Sequence, residues 1–222
     1  MDADFWRERW EQNQLGFHQE EVNPLLTKHW PALEVETDAP VFVPLCGKSL
    51  DMIWLRSLGH PVVGVELSEI ACRDFFGENG LEAETRREGA FEISEGSGYR
   101  LHCGDFFALE AEHVAGVRGV FDRGSLVALP PGMRVRYAQH MARLLEPGAR
   151  ILLFTVVYDQ NEMKGPPHCV PDEEVESLFG EAFAIDRLAT NGPYDPPPMM
   201  QARGMTAMSD RVWRLERRGD AT

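Results

Sequence analysis

The sequence predicts an α/β fold built on a mainly parallel, doubly wound sheet. From Pro40 onward, short apolar runs alternate with amphipathic helical text, the pattern of parallel strands joined by crossover helices. The last two strand candidates have no clear helix between them, so they are expected to pair antiparallel at one edge of the sheet. Residues 1–38 hold helical text without a strand and must pack as a cover on the rest of the chain. No internal repeat or linker divides the chain, so residues 1–222 read as one domain.

Each element is argued from local text. Trp6 and Trp10 lie four apart on one helix face, and Asn23-Pro24 reads as an N-cap with proline at the first helical position of a helix ending near Trp30-Pro31. Pro40–Leu45 is a short apolar strand. Ser49–Leu58 is a helix with Leu50, Ile53, Trp54 and Leu58 on one face, ended by Gly59. Pro61–Glu66 is the second strand, and Ser68 caps a helix from Glu69 to Phe76 that Gly77 should close. Residues 81–98 are polar and glycine-containing, as in a hairpin insertion. Tyr99–Cys103 and Gly119–Asp122 are further strands. A helix at Pro131–Leu145 leads into the strongest strand, Arg150–Val157. The loop Gly165–Pro171 precedes a helix at Asp172–Phe179, and Phe183–Leu188 and Asp210–Leu215 are the closing strands. Between them, the prolines of Thr190–Met200 argue against regular structure.

Composition narrows the function. Hydrophobic residues make up 43% of the 222, enough for a buried core. No stretch approaches the ~20 apolar residues of a membrane helix, and the start, Met1–Glu8, is charged with no apolar signal region. A cytoplasmic protein with no membrane partner is expected. The net charge of −14 disfavours a nucleic-acid partner, since Arg86-Arg87 and Arg217-Arg218 are short basic pairs beside acids. Cys46, Cys72, Cys103 and Cys169 form no CxxC pattern. His102-Cys103 and His168-Cys169 are thin evidence for a metal, so reduced thiols and no metal site are expected.

The most informative stretch is Val43–Asp51, which leaves a strand and opens a helix, where backbone N–H groups favour a polar or anionic ligand. Gly47 allows a tight turn and close approach of a ligand. A phosphate-binding loop is excluded, because the glycine required five residues before Gly47 is Phe42. Glu66 lies 19 residues after Gly47, the spacing at which an acid in nucleoside-binding α/β folds accepts from ribose hydroxyls. Asp105, after the third strand, reads either as an acceptor for an adenine amino group beside Phe106 and Phe107 or as a helix N-cap. Arg123 ends the fourth strand, at the sheet edge where ligands bind. It is placed to hold a cofactor carboxylate or steer an anionic nucleophile, the alternative being a local pair with Asp122. Trp6, Trp10 and Phe17 taken alone read as core, and His18 alone is weak evidence of a base.

Together, Trp6-x-x-x-Trp10 with Gly16-Phe17-His18, Val43–Ser49, Val63–Ser68 and Phe121–Leu129 resemble the thiopurine S-methyltransferase family, its bacterial branch most closely, over essentially the whole length. The resemblance implies a Rossmann-like class I methyltransferase that binds S-adenosyl-L-methionine, with Trp10, Leu45, Glu66 and Arg123 on the cofactor and the N-terminal segment over the site. It implies action on a small aromatic or heterocyclic thiol, with selenium or tellurium compounds as an extension; a monomer is expected. The family's late loop often carries basic residues toward an acidic substrate. Here Pro198–Gly204 offers only Arg203, so substrate preference is expected to differ. The competing readings are a halide or alkyl-thiol methyltransferase on the same scaffold and a non-catalytic protein that binds adenosyl nucleosides.

Overall fold

Local signals build the N-terminal cover. The structure, a computed structural model, describes residues 3–219; Met1, Asp2 and residues 220–222, which belong to the expected domain, lie outside them. Ala3–Glu11 is helix α1. Asn23 caps α2 (Pro24–His29): its side-chain oxygen accepts from the Leu25 N–H at 2.9 Å, and Pro24 fills the first helical position. A 3-10 turn, Trp30–Leu33, extends α2, and Leu26, Trp30 and Leu33 bury their side chains against the sheet.

The central strand is the short apolar run, β1 (Val41–Val43), buried at every position because strands flank it and helices cover both faces. The next units are α3 (Asp51–Ser57), β2 (Val62–Glu66) and α4 (Glu69–Glu78). Then come the hairpin β3 (Glu84–Glu88) and β4 (Phe91–Gly96), and β5 (Tyr99–Cys103). After these stand β6 (Gly119–Asp122), α5 (Pro131–Leu144), β7 (Arg150–Val157) and α6 (Asp172–Phe179). The chain closes with β8 (Phe183–Tyr194), α7 (Pro198–Gln201) and β9 (Met208–Arg217). Ser68 caps α4 as expected, by accepting from the Ala71 N–H at 3.3 Å.

The described strands form one sheet in the order β3-β4-β5-β2-β1-β6-β7-β9-β8. The five strands from β5 to β7 run parallel. One apolar layer, which includes Leu26, Met52, Leu55 and Phe75, puts the cover, α3 and α4 on one face. A second, which includes Tyr137, Met141, Val175 and Phe179, puts α5 and α6 on the other. The sheet is doubly wound, as the sequence predicts.

Four expectations need correction. Antiparallel pairing occurs at both edges, because the 81–98 hairpin joins the main sheet through β4 and β5. Gly77 does not stop α4, which runs to Glu78; a mid-helix glycine costs only ~1 kcal/mol, less than packed neighbours such as Phe75 and Phe76 return. The Val43–Asp51 stretch enters α3 only at Asp51, after an intervening turn. The proline-rich stretch is not irregular throughout. β8 continues through it to Tyr194 as an edge strand with two register shifts against β9, which is where a sheet tolerates proline, and α7 begins on Pro198.

Candidate active site

Strand order reverses about β1: the chain passes to β2 on one side and later returns to β6 on the other. At such a switch point the loops leaving the carboxyl ends part and open a crevice. Ser125 ties its walls together, donating from Oγ to the Pro44 carbonyl at 2.8 Å.

The loop after β1 is bent by two residues in the left-handed region, Leu45 at φ 45° and Gly47 at φ 54°. Glycine adopts this freely; for Leu45 it stores about 1 kcal/mol or more, a cost met most often at ligand-binding turns. Gly47 was expected to allow a tight turn and the close approach of a ligand, and its positive φ supplies the turn. The Gly47 N–H donates to Glu66 Oε2 at 2.9 Å, while the Ser68 N–H donates to Oε1 at 2.8 Å. Burial pushes the Glu66 carboxyl above its ordinary range, and N–H groups of Ser68, Gly47 and Leu67 pull it back. Among the described residues no cation lies within ion-pair distance of this buried carboxylate. Each of its oxygens keeps a lone pair for another donor, a set that fits the paired hydroxyls of a ribose.

Asp105 comes after β5 and is exposed. Its Oδ1 accepts from the Phe107 N–H at 2.9 Å, capping a 3-10 turn at Phe106–Ala108. The N-cap is therefore what the fold uses, and the second carboxylate oxygen makes no hydrogen bond among the described residues.

Arg123 does not pair with Asp122, which turns inward and accepts from the Tyr137 hydroxyl at 2.6 Å and the Leu126 N–H at 3.3 Å. The Arg123 partner is Asp51 Oδ2 at 3.7 Å, across the crevice at the start of α3. Asp51 is itself buried, and its Oδ1 accepts from the Asn23 N–H at 2.7 Å, anchoring the cover. Burial lowers the Arg123 pKa while Asp51 and Asp210 oppose that. Its side chain is only 22% exposed, yet the guanidinium makes no hydrogen bond among the described residues. A partly buried fork of donors without acceptors is suited to a carboxylate or thiolate.

Trp10 is buried over the β1 loop, so close that a Cβ on Gly47 would lie 3.3 Å from its ring. Phe17 packs edge-on to Trp10 at 5.7 Å and to Trp6 at 5.4 Å, making the aromatic text the underside of the cover. Gly16 touches Met199 of α7 so closely that a Cβ there would sit 2.6 Å from the methionine, and cover and α7 thus meet above the crevice. His18 is held below its ordinary pKa by burial and then by Lys48, with Arg123 adding to the effect. Arg203 is turned elsewhere: its two guanidinium nitrogens donate to the carbonyls of Pro166 and Gly165 at 2.7 Å each.

Sequence reasoning did not single out Asp51 and Asp210, the two carboxylates that act on Arg123. Period-two alternation through Met208, Asp210 and Val212 carries the signal for Asp210, because Val212 is core and places the acid on the covered face. Among the described residues no group of three or more His, Cys, Asp or Glu could hold a metal ion, and all four cysteines are free.

The fold is the one shared by Rossmann-like class I methyltransferases. A SAM-dependent methyltransferase from Anabaena variabilis superposes with a TM-score of 0.65 at 13% identity, covering 97% of this chain and 95% of that one. The Burkholderia thailandensis 1,6-didemethyltoxoflavin-N1-methyltransferase, solved with its substrate and S-adenosylhomocysteine, gives 0.64 at 16% identity over 98% and 87%. The model of the thiopurine S-methyltransferase family matches residues 1–218. The thiopurine S-methyltransferase of Methylococcus capsulatus is 46% identical over the full length of both chains, and that of Pseudomonas fluorescens 45% identical over 97% and 99%. The chain belongs to the thiopurine S-methyltransferase family.

Proposed function

We propose that this chain is an S-adenosyl-L-methionine-dependent S-methyltransferase for small aromatic or heterocyclic thiols, acting as one domain over residues 1–222. Family membership supports the activity. The single structural observation that carries it is the pairing of two unsaturated groups on opposite walls of one crevice: the buried Glu66 carboxylate and the Arg123 guanidinium. When bound, S-adenosyl-L-methionine supplies an electrophilic methyl group on a sulfonium. Glu66 would accept from its ribose, the backbone bend at Leu45 and Gly47 would line it, and Trp10 would cover it. Asp105 would reach the adenine end through its second oxygen.

Arg123 would hold the acceptor sulfur as a thiolate, since a nearby positive charge favours the ionised form. The thiol proton leaves to solvent. Arg123 would keep the thiolate facing the methyl group, so that the S–CH3 bond would form as the methyl–sulfonium bond broke, leaving S-adenosylhomocysteine as the neutral co-product. No strong base is required if the thiol ionises near neutral pH, so positioning under the cover supplies most of the rate.

The test is turnover of methyl-labelled cofactor against a panel of aromatic thiols, heterocyclic thiols, alkyl thiols, halides and selenium or tellurium oxyanions. Label transferred to aromatic or heterocyclic sulfur supports the proposal. Transfer only to halide or alkyl thiol replaces it with the neighbouring activity, and binding without transfer to any acceptor leaves a nucleoside-binding protein. No helix among the described residues is long and apolar enough to cross a membrane.

A further inference from the structure

The acceptor side of the crevice carries an unusual charge balance. β9 places Asp210 opposite Val156, on the sheet face that also buries Phe154 and Val212 beneath the cover. Asp210 is half-buried, lies beside the Tyr194 hydroxyl at the end of β8, and stands near enough to Arg123 to interact with its charge. Arg123 is therefore flanked by two carboxylates, Asp51 at 3.7 Å and Asp210 beyond it.

Three other cations near these strands and loops already have partners of their own. Lys48 Nζ pairs with Glu78 at 2.5 Å, Arg211 pairs with Asp172 at 3.1 Å, and Arg203 donates to the Gly165 and Pro166 carbonyls. The segment that meets the cover, α7, offers Met199 and Met200 and no charge. One anionic centre, the reacting sulfur, can be balanced by Arg123 and a sulfonium. A second would face Asp210, and like charges brought together with partial desolvation disfavour a ligand strongly.

On the S-methyltransferase reading, we infer that Asp210, beside Tyr194, is a specificity-determining residue that admits acceptors uncharged apart from their sulfur and rejects aromatic thiols bearing a carboxylate. The acceptors it favours are neutral heterocyclic or aromatic thiols. Asp210 acts by excluding the wrong charge and takes no part in bond making.

The experiment compares two thiophenols, one with a para-carboxamide and one with a para-carboxylate, at pH 8.5, where both thiols are ionised. The wild type should favour the carboxamide in kcat/KM by about tenfold or more, and Asp210→Asn should shrink that ratio to about threefold or less. Equal use of both acceptors by the wild type overturns the inference, as does an unchanged ratio in the variant. S-adenosylhomocysteine affinity, measured on each protein, identifies a variant that has lost its fold. In that event the wild-type ratio decides, with Tyr194→Phe, which should narrow it, as the second variant. Absence of transfer to either thiol, with S-adenosylhomocysteine bound, rejects the S-methyltransferase reading itself. Transfer without discrimination rejects only the role of Asp210.

Discussion

Glu66 and Arg123 are charged residues in places where charge is costly, and each is incompletely satisfied. Burial raises the Glu66 pKa, the N–H groups of Ser68, Gly47 and Leu67 oppose that, and further donors would favour the carboxylate. Ribose hydroxyls would be such donors, so affinity for S-adenosylhomocysteine should fall as pH drops through the raised pKa and the carboxyl is neutralised. Glu66→Gln should weaken binding by roughly 10- to 100-fold and abolish that pH dependence, read by calorimetry between pH 5 and 8. Affinity that is flat with pH in the wild type would remove Glu66 from the site. For Arg123, the relevant state is the thiolate of the acceptor. Arg123→Ala should cut turnover by about tenfold or more near pH 6.5 and far less near pH 9, where the thiol ionises unaided. An equal loss across pH would contradict its role. Both residues are legible in the sequence because spacing and strand-end position identify them. Their partners are not: Asp51 and Asp210 lie far from Arg123 in sequence, and only the folded sheet brings the three together.

Elements hold the crevice open through buried polar links. Asp122 at the end of β6 is pushed up to about 6 by burial, and the Tyr137 hydroxyl from α5 supplies its shortest hydrogen bond, at 2.6 Å. A raised carboxyl pKa works against folding above it: stability from this group is greatest in acid and declines as pH rises from the unfolded value near 4 through about 6. Tyr137→Phe should therefore cost roughly 1.5–3 kcal/mol by denaturant unfolding at pH 7.5, where the donor faces an anion, and clearly less at pH 5. A loss independent of pH would mean that packing of the ring, and not its hydroxyl, joins the two elements. The cover is a second such link, with Trp10 over Gly47 and Asn23 on Asp51. Trp10→Ala should speed hydrogen exchange in residues 3–18 while the amides of β1 and β2 keep their protection. Loss of protection throughout would make Trp10 a core residue of the whole domain. Most elements are legible because their periodicity and caps are local: β5, β6, β7 and α6 begin and end where the sequence places them. The run from Thr190 to Tyr194 departs from expectation because proline content marks a strand as an edge as readily as it marks a loop.

At the scale of the whole molecule, the nine-strand order puts β1, β2 and β6 side by side, so that three loops far apart in sequence share one crevice. That arrangement results from the alternation of strands and helices, which is why the fold class is legible in the amino-acid sequence alone. The hairpin at 81–98 is legible too, but its joining to the parallel sheet is not, since that pairing with β5 depends on register. The net charge of −14 has a further consequence: a neutral or singly charged acceptor enters against less repulsion than a polyanion. The central claim, a crevice built for an adenosyl cofactor, is tested most directly by titrating S-adenosylhomocysteine into the folded protein by calorimetry, with ATP as comparator. Saturable binding near one ligand per chain, with ATP silent, is the predicted result. No S-adenosylhomocysteine binding to protein shown to be folded, or equal binding of ATP, would contradict it.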